Sequence, residues 1–206
     1  DGQTIGFEIL RQEKNFFTIK DLAGTGSTSF ESSLRRSFIL LTSMAADSLE
    51  FLKKKDVHNL NDMYFRDRAI NKFTNFCSRL LLKQGQFDVK NTAFYYHFIR
   101  SFEALADQYS LMCTYYAKKL TPVNKEVFEK YKEINEILMK FYEIFYKFDK
   151  KELGNLFFRI RDMENTTREM YSLKKTDPMV SYYLASIIRR IKELVDSLIE
   201  FNLDKG

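Results

Sequence analysis

Two acids four residues apart, Glu103 and Asp107, offer the plainest chemistry in this chain. They lie in the run Ile99-Arg100-Ser101-Phe102-Glu103-Ala104-Leu105-Ala106-Asp107. On a helix this spacing stacks both carboxylates on one face, one turn apart. The apolar stripe of the same segment is Tyr95, Phe98, Phe102, Leu105, Ala106, Tyr109 and Cys113. At ~100° per residue the two acids fall roughly 100–140° from the centre of that stripe. Carboxylates at the flank of a buried face can meet solvent, a partner or a metal. Asp67 and Asn71 repeat the same spacing on the preceding helical stretch, in a polar stripe with Thr74 and Ser78.

Other chemistries find less to work with. A ferritin-like di-metal oxidase needs Glu-x-x-His on two helices. The residue three beyond Glu103 is Ala106, and the chain has only two histidines, His58 and His97. His58 stands at a helix start, and His97 lies opposite the apolar stripe. Both read as surface residues, and neither supports a Ser-His-Asp or Cys-His arrangement. No catalytic residue and no organic cofactor site is expected. Gly24-Thr25-Gly26-Ser27-Thr28 is not followed by Gly-Lys-Ser/Thr, so it reads as a flexible connection and not as a phosphate cradle.

Helices must position these acids. The chain has 206 residues, enough for one substantial core or two small domains. With only 7 Gly and 2 Pro it is poor in turn formers, which favours long helices over a β sandwich. The 20 Phe and 12 Tyr can supply a core without Trp. A net charge of +5 is spread among interspersed acids and bases, which is no cationic arm for nucleic acid. Cys77 and Cys113 share no metal-ligand spacing and read as small apolar residues in a reducing cytoplasm. No apolar run reaches the roughly 18 residues of a membrane span, and no signal-peptide pattern opens the chain.

Residues 3–22 alternate loosely and suggest a short hairpin or two extended pieces. Six helices are expected after it: about Ser29 to Lys54, His58 to Gln84, Thr92 to Lys119, Val123 to Phe148, the stretch from Asp149 to Leu173, and Met179 to Phe201. Their caps read as Thr28 with Glu31, Asp56, Asp149 with Glu152, and Asp177 before Pro178. The third helix laid on the sixth brings Phe98-Ile99-Arg100 onto Ile187-Ile188-Arg189, Phe102 onto Ile191, and Asp107 onto Asp196. Arg66-Asp67 has a looser echo in Arg161-Asp162. Two related three-helix units account for this self-similarity. The expected fold is all-α: two antiparallel three-helix bundles, 28–120 and 121–206, preceded by an extended segment, 1–27.

The run Phe102-Glu103-Ala104-Leu105-Ala106-Asp107 resembles the Leu-Glu-Arg-Ile-Gly-Asp motif of the PhoU family, regulators of phosphate uptake. Asp67-Arg68-Ala69-Ile70-Asn71 is similar to the motif that family carries on the preceding helix, and Arg189-Arg190-Ile191-Lys192-Glu193 to a segment of its archaeal branch. The resemblance covers about residues 30–203. It implies a pseudo-twofold pair of bundles and a non-enzymatic cytoplasmic regulator of phosphate homeostasis and signalling. Its partners would be the ATPase of a phosphate ABC transporter or a sensor protein, and a homodimer is compatible with it. It also implies a metal site in the first bundle, with Glu103, Asp107, Asp67 and Asn71 as ligands. Such oxygen donors suit iron, manganese or magnesium and tolerate zinc. In the second bundle Lys192 stands where the motif needs an acid, leaving Asp196 alone, so at most one site is expected. Archaeal relatives often carry an AbrB-like DNA-binding domain ahead of the helices; residues 3–22 would be its tail or linker, and direct DNA binding by this chain is not expected. The alternatives are a helical interaction module or scaffold without metal, whose acids form a solvated face, and the regulatory part of an AbrB-PhoU transcription regulator.

Overall fold

A computed structural model describes residues 7–12, 17–21, 29–84, 88–119, 125–172 and 177–202. Two short strands, β1 (Phe7–Gln12) and β2 (Phe17–Asp21), pair antiparallel, with a break in register between Ile9 and Arg11. Six helices follow: α1 (Phe30–Lys54), α2 (Val57–Gln84), α3 (Val89–Lys119), α4 (Lys125–Tyr146), α5 (Lys150–Ser172) and α6 (Pro178–Asn202). The glycine-rich stretch 24–28 lies outside the described residues, and so does the expected cap Thr28.

Local chemistry sets the helix ends. Ser29, one residue after the expected cap, accepts the Ser32 N–H at 3.2 Å and opens α1. Asp56 accepts the Asn59 N–H at 3.1 Å at the head of α2. α3 begins earlier than Thr92, because the Asp88 carboxylate accepts both the Asn91 N–H at 2.8 Å and Asn91 Nδ2 at 2.7 Å. Asp149 caps α5 through the Glu152 N–H at 2.9 Å, and Asp177 caps α6 through the Met179 N–H at 2.9 Å. Glu152 does not complete the expected capping box. Its carboxylate goes to Lys140 of α4 at 2.8 Å, so the acid ties two helices together. α1 ends with Lys55 in the left-handed region at φ 55°, which lets the Asp56 N–H reach the Phe51 carbonyl.

α1, α2 and α3 pack against one another, as do α4, α5 and α6; α3 meets α6, and α1 meets α4. The aromatic residues concentrate where these sets join. Phe38 of α1, Phe98 and Phe102 of α3 and Phe141 of α4 are fully buried. Phe38 meets Phe102 edge-on with centroids 4.7 Å apart, and Phe98 stacks on Phe145 at 4.8 Å. Each such ring pair contributes about 0.5–1.5 kcal/mol beyond its burial.

Polar bonds set the register of the same junction. Tyr109 Oη donates to Asn135 Oδ1 at 2.9 Å, and Asn135 Nδ2 donates to the Ala45 carbonyl at 2.7 Å. Ser48 and Tyr131 share a hydroxyl bond beside them. A buried phenol left unpaired would cost roughly 1–3 kcal/mol, so these bonds fix how α4 sits on α1 and α3. Tyr115 Oη donates to Asp177 Oδ2 at 2.7 Å, and Phe94 stacks on Phe201 at 4.0 Å, which fastens α3 to both ends of α6. Among the described residues no helix is long and apolar enough to cross a membrane.

Candidate functional site

The face shared by α2 and α3 gathers the acids. Packing on the apolar side of α2 rests on Met63, Ile70 and Cys77, all within 1 % of full burial. Asp67 sits one turn from Met63 and Ile70 and is drawn in with them, so that only 7 % of it is exposed. On α3 the apolar stripe Phe98, Phe102, Leu105 and Tyr109 is fully buried. That leaves Glu103 and Asp107 half-buried at its edge, toward α2.

Three carboxylates therefore act on one another. Burial pushes the Asp67 carboxyl up to about 7; the charge of Asp107, a hydrogen bond shared with Asp107 and the charge of Glu103 add to it. Glu103 is also raised, first by burial, with the Arg100 guanidinium opposing and Asp107 reinforcing the shift. Asp67 thus carries a proton through much of the range in which an ordinary carboxyl is ionised. Its Oδ1 is buried and has no hydrogen-bond partner, and the same holds for Oδ1 of Asn71, one turn on along α2.

Arg100, which the acid spacing did not single out, modifies this cluster. It lies three residues before Glu103, pairs with the Glu103 carboxylate, and is 54 % exposed against 18 % for Glu103. The signal was present in the sequence, since an i, i+3 Arg–Glu spacing on a helix predicts contact. Among the described residues no cation forms an ion pair with Asp67 or Asp107.

The donor set suits a hard cation by its chemistry: carboxylate and amide oxygens, two of them buried and unbonded. Its arrangement is incomplete for that purpose. Among the described residues no three His, Cys, Asp or Glu side chains are drawn together so as to hold a metal ion. Glu103 is paired with Arg100.

Asp196 is remote from these residues in its surroundings. It sits on α6 and accepts a hydrogen bond from Lys192 Nζ at 2.9 Å. The Asp196 bond, above all, raises Lys192 above its ordinary value; the Asp196 charge and the charges of Glu164 on α5 and Glu193 add to it. Asp162, the echo of Asp67, is exposed. His58 and His97 are exposed, with His58 Nδ1 3.6 Å from Asp62. Cys77 and Cys113 are free and buried, and burial pushes each thiol up to about 12.

Six helices of this length, packed as described, place the chain among proteins with a PhoU-like helical fold. One solved structure similar to it is the phosphate transport system regulatory protein PhoU from Streptococcus pneumoniae, with a TM-score of 0.62 and 13 % identity, covering 84 % of this chain and 89 % of that one. No family model matches the sequence, and no curated protein matches it. The likeness is therefore one of fold.

Proposed function

We propose that this chain is a PhoU-like, non-enzymatic regulator of phosphate uptake that works through protein contacts, with a metal site on its first three helices. The fold carries the reading: the likeness to a phosphate transport regulator runs along most of both chains. The helix pairings support a division into two three-helix bundles, 28–120 and 121–206, related by a pseudo-twofold axis. Assignment to the archaeal branch and to the cytoplasm rests on the motifs and composition alone.

The metal reading rests on Asp67, Glu103 and Asp107, with Asn71 as a neutral donor. Iron, manganese and magnesium match these oxygens best, and zinc is tolerated. What supports it is the unbonded Asp67 Oδ1, held among acids that burial has raised. A cation there would replace a proton and balance the cluster. Asp196 is left out of the site because Lys192 already satisfies it.

Partners of the proposed kind are an ATPase subunit of a phosphate ABC transporter or a sensor protein. On α6 an open cleft lined by Tyr182, Ser186, Arg189, Arg190 and Glu193 is one surface on which such contacts can form. The test is metal content by elemental mass spectrometry on protein purified without an affinity tag, beside the Glu103→Ala/Asp107→Ala variant. Stoichiometric iron, manganese or zinc in the parent, lost in the variant, is the expected result. Equal trace metal in both leaves a PhoU-like scaffold whose acids serve contacts alone. Titration with the purified transporter ATPase, with and without the metal found, then tests the regulatory reading itself.

A further inference from the structure

A cleft of about 510 Å³ opens where the start of α1 meets α3 and the end of α4. Its size lies within the roughly 300–1,000 Å³ of small-molecule sites. It shares no residue with the acids of α2 and α3, and nothing said of it depends on a metal there. The half-buried rings of Tyr95, Phe145 and Tyr146 line it. Two exposed charged side chains of α1, Glu31 and Arg35, stand one turn apart at its mouth. Apolar and aromatic walls with a few placed polar groups are the makeup of a ligand site.

Arg35 is oriented but not consumed. Its guanidinium carbon lies 4.5 Å from the centre of the Tyr146 ring. The Tyr146 hydroxyl has no hydrogen-bond partner, so the guanidinium meets the ring face and not the oxygen. Among the described residues Arg35 forms no ion pair, not even with Glu31 one turn back. A stacked guanidinium is held in its plane while the N–H groups along its edge can grip an oxyanion at two points. Glu31 acts on the α3 side of the cleft: burial raises the Tyr95 phenol above its ordinary value, and the Glu31 charge adds to it. A carboxylate so placed repels a bare anion but accepts hydrogen bonds from hydroxyl groups.

We propose that this cleft binds a ribonucleoside phosphate: the base lies against the rings of Tyr95 and Phe145, Glu31 takes the ribose hydroxyls, and Arg35 takes the phosphate. The combination selects the ligand. Rings alone accept any flat apolar body, because every base has a face to stack. Arg35 alone accepts any oxyanion. Inorganic phosphate would leave the rings uncovered and face Glu31, and a free nucleoside would leave Arg35 unused. A ring, a diol and a phosphate on one molecule satisfy all three. A ligand there touches α1, α3 and α4 at once, so it spans the junction where the two sets of helices meet. Binding at such a place stabilises that junction by mass action and gives a regulator a nucleotide level to read.

The experiment is isothermal titration calorimetry of the full chain, in EDTA, with AMP, UMP, 2′-deoxy-AMP, adenosine and inorganic phosphate. AMP or UMP should bind with one equivalent, and adenosine and inorganic phosphate at least about tenfold more weakly, the worth of a charge-assisted contact. Arg35→Gln should weaken nucleotide binding at least about tenfold. Glu31→Gln should weaken AMP by at least about threefold and remove the difference between AMP and 2′-deoxy-AMP. Circular dichroism checks that both variants are folded, which exposed helix positions allow. Absence of binding by both nucleotides overturns the proposal, and so does inorganic phosphate binding as tightly as AMP, which would make the cleft a simple anion site. Unchanged AMP affinity in Arg35→Gln overturns the phosphate contact, and tighter AMP binding by Glu31→Gln overturns the ribose contact.

Discussion

α3 and α6 carry the same register and opposite chemistry. On α3 the pair four residues apart is Glu103 and Asp107, and Asp67 faces them from α2 with an unbonded oxygen. On α6 it is Lys192 and Asp196, joined at 2.9 Å, with Glu164 contributing from α5. One side chain separates the two cases. An acid at the first position adds negative charge that helps to raise the Asp67 carboxyl; an ammonium there balances the neighbouring acid from within. A similar pattern of packing residues, such as Phe102 on α3 and Ile191 on α6, does not by itself give the two helices a similar site, because a single flank position differs in sign.

The sharpest way to break this comparison is pH. In the folded chain Asp67 keeps its proton up to about pH 7, whereas an unfolded carboxyl releases it near 4. The folded state therefore binds the extra proton between those values, and stability falls as pH rises across that window. Its contribution is fully present below about pH 4 and lost above about pH 7, and it is of order 4 kcal/mol. Lys192 is raised from an already high value, so its contribution is constant through this range and is lost only in strong alkali. Urea unfolding in EDTA from pH 4.5 to 8 should show the slope in the parent chain and a much flatter one in Asp67→Asn. Identical slopes would mean that the Asp67 carboxyl is not raised in the folded chain.

A second way is to convert one region into the other. Glu103→Lys copies the arrangement of α6 onto α3 and gives Asp107 and Asp67 an internal cation. Apo stability at pH 7.5 should rise by no more than about 1 kcal/mol, since a nearby opposite charge lets Asp67 ionise at less cost while the ion pair with Arg100 is lost. Divalent-cation binding at the proposed site should fall at least about tenfold, because an ammonium then stands among its acids. The two readouts move in opposite directions, which separates this outcome from a simple loss of folding. Lower stability together with unchanged metal binding would place the site elsewhere.

Much of this arrangement is legible in residue spacing. The six helices follow from apolar periodicity and from caps such as Asp56, Asp149 and Asp177, whose side chains accept the N–H groups expected of them. The acid pair is visible because i, i+4 spacing is a property of one helix. What spacing does not give is depth. Asp67 and Asp162 read alike in the sequence, yet one is buried and the other exposed, because that depends on how α2 and α5 rotate against their neighbours. The junction built by Tyr109, Asn135 and Ala45 joins residues far apart in the chain, and no local pattern announces it. Glu152 shows the same limit, since a tertiary partner, Lys140, took the side chain that a capping box would have used.

The reverse conversion carries the smallest effect and the finest discrimination. Lys192→Glu removes the bond to Asp196 and sets a new acid beside Asp196 and Glu164. The Lys192–Asp196 pair is about a third exposed, so its loss and the added repulsion should together cost about 1 kcal/mol at low salt and pH 7.5, and less as salt rises. Lys192→Gln, which removes attraction without adding repulsion, should cost roughly half as much. Neither variant should add a second equivalent of Mn²⁺. The new acid would then stand with Asp196, Glu164 and Glu193, but Asp162 stays exposed and among the described residues of α5 and α6 no buried carboxylate like Asp67 anchors the group. A gain of a second equivalent in Lys192→Glu would show that surplus negative charge alone is sufficient for binding. Its absence, together with binding in the parent, would assign the difference between the two regions to the depth of Asp67 as much as to the sign at position 192.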